Sequence, residues 1–151
     1  MWTIKYEGAT GNTLWGPRLA HGNGGYVDSA NAVAVAANGD VFVTGTMYSN
    51  ANDFDFATLK YSGATGDLLW GPVLFDGSGA HEDFARAIEL DASGNPVVAG
   101  ESDNPALDSD LVVLKYDGAT GTPLWSPQRI GGLDATSCPW TTSRSSVAPP
   151  S

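Results

Sequence analysis

With 151 residues, a hydrophobic share of 42% and an aromatic share of 10%, the chain has the composition of one folded domain, not of a disordered segment. Its formal charge of −10 at pH 7 repels phosphate backbones and anionic lipid, which argues against nucleic-acid and membrane partners. No apolar run approaches the roughly 18 residues of a membrane span, "MWTIKYEG" lacks the pattern of a signal peptide, and the single cysteine, Cys138, permits no intrachain disulfide.

The elements follow in chain order. "KYEGATGNTLWGP" (Lys5–Pro17) closes one strand, turns at "GATG", and opens another. The turn glycines relieve strain at positive φ. Pro17 cannot donate to a ladder and so suits an outer, edge-like strand. "ANAVAVA" alternates small or apolar residues with variable ones, a period-two signal for a strand. "NGD" is tight-turn chemistry, "VFVTG" is β-branched and apolar as strands prefer, and a polar loop leads into "DFATLKY". The opening phrase then returns as "KYSGATGDLLWGP" (Lys60–Pro72). It is followed by "ARAIELD", "SGN", "VVAG" and "DLVVLKY", and once more by "KYDGATGTPLWSP" (Lys115–Pro127). No stretch shows the 3.6-residue periodicity of a helix.

The three phrases recur every 55 residues, and the register between them also holds, Asp28 answering Asp83 and Asp53 with Asp55 answering Asp108 with Asp110. A tandem unit of four short strands predicts an all-β fold of four-stranded antiparallel blades, as in a β-propeller. A sandwich has no reason to repeat one phrase in register. The array occupies residues 1–132, about two and a half blades. The Ser/Thr/Pro-rich tail 133–151 shares nothing with the repeat and is expected to be disordered or loosely docked. Each phrase places a tryptophan (Trp15, Trp70, Trp125) where it can cover the gap that every blade leaves.

These residues resemble a known family. "DFATLKY", the tryptophan, and "DFARAIELDASGNPVVAG" are similar to the SBBP-type bacterial β-propeller repeat, over Trp2 to about Gly132. "GATGNTLW", "GATGDLLW" and "GATGTPLW" resemble the tryptophan-docking motif of quinoprotein propellers, which locks blades together and does not hold the quinone. The resemblance implies tandem blades in large secreted or surface proteins of bacteria, and a docking role for Trp15, Trp70 and Trp125. Because propellers close with about four to eight blades, so short an array is expected to associate with itself or to continue in a longer parent chain.

The remaining candidates weigh as follows. Lys5, Lys60 and Lys115 are the only lysines; recurrence favours a structural lysine paired with a repeated acid such as Asp28 or Asp83 over an anion site. Asp53, Asp55, Asp108 and Asp110 gather carboxyl oxygens of the kind calcium takes, but the ligand set is incomplete and the same residues are ordinary turn formers. His21 and His81 fall out of register, and Ser78 near His81 lacks the strained-turn signature of a nucleophile. The sequence therefore predicts a non-enzymatic structural or binding module without a cofactor. Its alternatives are a piece of a secreted propeller enzyme whose active site lies elsewhere, and a calcium-stabilised adhesive module.

Overall fold

The structure, a computed structural model, describes residues 1–23, 28–49, 53–77, 82–103 and 109–131. The tail 133–151, Cys138, Ser78, His81 and Asp108 lie outside the described residues. The described chain is all-β, with ten strands and no helix among the described residues.

Strands β1 (Trp2–Tyr6) and β2 (Thr13–Leu19) form a two-stranded first sheet. Strands β3 (Ser29–Val35), β4 (Val41–Tyr48), β5 (Phe54–Tyr61) and β6 (Leu68–Phe75) form a four-stranded second sheet in chain order. Strands β7 (Asp83–Leu90), β8 (Pro96–Asp103), β9 (Ser109–Lys115) and β10 (Gln128–Ile130) repeat it as the third. All neighbours are antiparallel. The repeat extends to irregularities: the pairing shifts between Ala30 and Ala32 in β3, and between Ala85 and Ala87 in β7. The "GATG" turn is likewise built three times. The amide of its last glycine bonds back to the carbonyl of Glu7, Ser62 or Asp117 at 2.8–2.9 Å, with φ of 73–75°. Pro72 lies in β6, the edge strand of its sheet, where no ladder donor is needed.

The sheets stack face to face through two apolar clusters. One joins Trp15 of β2 to Val41, Val43, Leu59 and Tyr61 of the second sheet. The other joins Phe42, Phe56 and Trp70 of the second sheet to Ile88, Val98, Val112 and Leu114 of the third. Odd and even positions of β4 and β5 therefore both meet a neighbour. Val41–Met47 is buried throughout, while Pro96–Asp103 in the third sheet alternates buried with half-buried residues. The same strand in the repeat thus shows one covered face or two according to its place in the stack.

At the N-terminal end of the stack one apolar face is uncovered. Trp2, Ile4 and Tyr6 are 63%, 41% and 56% exposed, whereas their register equivalents Ala57, Leu59 and Tyr61 are at most 4% exposed. Val33 and Val35 are exposed on β3, where the equivalent Ile88 on β7 is buried.

The third unit departs from the pattern after its turn. Ser126 stands where Gly16 and Gly71 adopt φ of 107° and 96°. A β-carbon at those glycines would approach the carbonyl oxygen of Thr3 to 2.9 Å or of Thr58 to 2.6 Å. A serine cannot follow that path. Residues 124–127 leave the strand, β10 is confined to Gln128–Ile130, and Trp125 is only half-buried, lining a groove with Val73, Phe75, Leu114 and Pro127.

Candidate functional site

Two arrangements concentrate polar chemistry: the joint between successive sheets and a carboxylate cluster at the opposite strand ends. In the joint, the Trp15 indole donates its N–H to the Gly63 carbonyl at 3.1 Å, and Trp70 donates to Gly118 at 3.2 Å. Each ring lies on the last glycine of the next "GATG" turn. A β-carbon on Gly66 would meet Trp15 at 2.6 Å, and one on Gly121 would meet Trp70 at 2.9 Å. Only glycine combines that close approach with positive φ. The lysines reinforce the same acceptors, Lys5 Nζ reaching Gly63 O at 2.7 Å and Lys60 Nζ reaching Gly118 O at 3.0 Å.

The expected pairing of lysine with Asp28 or Asp83 does not occur. Lys60 pairs with Asp40 at 3.0 Å and Lys115 with Asp91 at 2.7 Å, while Lys5 bonds the carbonyls of Gly39 and Gly63. The reason is one of place: the lysines close β1, β5 and β9, beside the "NGD"-type turns, and Asp28 and Asp83 stand at the far strand ends. Asp40 serves twice, its other oxygen accepting the Gly63 amide at 3.0 Å, a role taken in the third unit by Asn95 toward Gly118 at 2.9 Å. Burial works to raise the Asp40 carboxyl, but the Gly63 amide and Lys60 outweigh it and hold it below the usual carboxylate range. Lys115 is the main cause of a similar lowering at Asp91.

At the other ends of the strands, Asp28 fastens its loop with both oxygens, accepting the amides of Gly22 at 2.8 Å and Tyr48 at 3.0 Å. Asp83 repeats one of these bonds, from Gly77 at 2.6 Å, but its Oδ1 has no hydrogen-bond partner. The corresponding amide in the third unit, that of Asp103, donates to Glu82 O instead. Asp55 Oδ1 and Asp53 Oδ2 are likewise buried without partners.

Of the acids singled out by sequence, Asp53, Asp55 and Asp110 are buried at the starts of β5 and β9. The fold brings Asp55 to two acids outside its own loop. It meets Asp76, just past β6, and Asp83, at the start of β7, with one oxygen of each lying within 4.8 Å of the others. Burial pushes Asp55 up to about 6; the Ser49 hydroxyl opposes the rise, and the charges of Asp53, Asp76 and Asp83 add to it. Asp83 is raised too, first by burial. Asp110, the register equivalent of Asp55, instead has a guanidinium, Arg129 at 3.6 Å. In the second unit that position is Leu74, and Gly131 is replaced by a further acid, Asp76. Sequence reading missed Asp76 because it lies outside the shared phrase, and read Asp83 only as a partner for lysine.

Comparison with family models, with curated proteins and with solved structures finds no match to this chain.

Proposed function

We propose that the chain is a non-enzymatic structural repeat module of the β-propeller type, made to be extended by further units or by copies of itself. The observation that carries this reading is the bare N-terminal face. Trp2, Ile4 and Tyr6 stand exposed in the register positions that Ala57, Leu59 and Tyr61 occupy in a closed joint. Beside them the turn Gly8–Gly11 is built like its two counterparts, yet nothing lies within 4 Å of a β-carbon on either glycine, whereas Gly66 and Gly121 each carry an indole. An exposed apolar row next to a preformed indole acceptor has the features of an interaction surface. The likeness of the repeat phrases to SBBP-type propellers supports the same reading, and with it a place in a secreted or surface protein of a bacterium.

Sedimentation velocity over a wide concentration range tests the proposal. The expected result is concentration-dependent association of the full chain, weakened by Ile4→Lys. A folded monomer across the whole range overturns self-extension.

A further inference from the structure

We propose that Asp55, Asp76 and Asp83, with the Ser102 hydroxyl, form a binding site for a hard divalent cation of the calcium type that ties the second sheet to the third. Every donor is oxygen, which selects a hard cation over zinc or copper. Calcium binds oxygens at 2.3–2.6 Å, so ligands on opposite sides of one ion lie about 4.6–5.2 Å apart. The three carboxylate oxygens, all within 4.8 Å of one another, fit inside such a sphere.

Ser102 is the independent pointer. It is fully buried, pairs with Asp83 across β7 and β8, and its Oγ has no hydrogen-bond partner other than the Asp83 carboxylate beside it. A β-carbon on Gly77 would come within 2.1 Å of Ser102 Oγ, 2.7 Å of an Arg129 guanidinium nitrogen and 2.8 Å of Asp83 Oδ1, so both oxygens converge beside one guanidinium. Leaving such groups buried and unsatisfied is costly. A cation satisfies the Asp55, Asp83 and Ser102 oxygens at once, with water filling the remaining positions. Arg129, whose guanidinium also reaches Gly77 and pairs with Asp110 at 3.6 Å, offsets part of the charge on Asp83. Asp55 has no such cation in its own unit.

The consequence is mechanical. Asp55 and Asp76 belong to the second sheet and its exit, Asp83 and Ser102 to the third. The apolar joint and the Trp70 hydrogen bond hold these sheets near their turn ends, and the ion would fasten the opposite ends.

The test uses the full chain, calcium chloride and EDTA, with sodium chloride matched for ionic strength. Calcium at about a hundredfold above its Kd is expected to raise Tm by about 6–10 °C, with a saturable heat in calorimetry. Asp76→Asn, at an exposed position, is expected to lose most of that shift, while Glu89→Gln, on the exposed face of β7, keeps it. Asp55→Asn is expected to melt above the parent chain in EDTA and below it in saturating calcium. That crossover is not expected from a merely structural aspartate. Absence of both heat and shift overturns the site. So does a shift that survives in Asp76→Asn or is matched by sodium chloride, because either result reports screening of the acidic surface. Should Asp55→Asn fail to fold, Asp76→Asn and Ser102→Ala still decide the matter.

Discussion

Trp70 reaches across the joint between the second and third sheets and donates to the Gly118 carbonyl at 3.2 Å, the same bond that Trp15 makes to Gly63 at 3.1 Å one repeat earlier. Each acceptor also receives a lysine, and each ring covers a glycine that no other residue can replace without strain. The joint between sheets is thus built alike from one repeat to the next, and such interfaces between neighbours add to the stability of each unit in repeat architectures.

Truncating that indole is expected to be severe. Trp70 is 8% exposed and packs edge-on against Phe42 with centroids 5.7 Å apart. Trp70→Ala should cost about 3–5 kcal/mol in urea unfolding. Trp125→Ala, whose ring is half-buried and outside a strand, should cost under about 1 kcal/mol. Equal losses would show that docking is not what distinguishes the two rings.

The glycines beneath the rings provide a matched pair. Gly11 and Gly66 share φ of 73°, but only Gly66 lies under an indole. Gly11→Ala should cost about 1 kcal/mol from backbone strain alone. Gly66→Ala should cost more, because the added methyl displaces Trp15. Chemical denaturation of the two variants reads the difference directly.

The Asp40–Lys60 contact carries a pH signature. The folded-state pKa of Asp40 lies below its ordinary value of 3.8. The unfolded chain therefore binds the proton first as pH falls, and the contribution of Asp40 is full above about 3.8 and lost below it. The stability gap between the parent chain and Asp40→Asn should accordingly be constant from pH 7 to 5 and shrink toward pH 3. A gap that stays constant to pH 3 would mean that the charge of Asp40 contributes nothing.

The bare N-terminal face makes a separable prediction. Lysine at Trp2 and Ile4 together should abolish self-association without lowering the melting temperature of the monomer, since both side chains are already exposed. A fall in that temperature would show that the row packs within the chain.

The amino-acid sequence by itself determined the period, the strands and the turns. Alternation, "GATG" and the "NGD"-type pairs act over a few residues, so they are legible wherever the chain happens to lie. It also marked Trp15, Trp70 and Trp125 as packing residues, since a bulky ring repeated in register needs a repeated gap, although Trp125 is left half-buried. Only the tertiary structure decided which faces are covered, because a face is buried by a neighbour and not by its own pattern: Tyr6 and Tyr61 share one local context and opposite exposures. The same holds for charge. Lys60 found Asp40 and Asp55 found Asp76 and Asp83 because folding sets each of them beside strand ends remote in sequence, and electrostatic and metal-ligand interactions depend on distance in space, which no local phrase encodes.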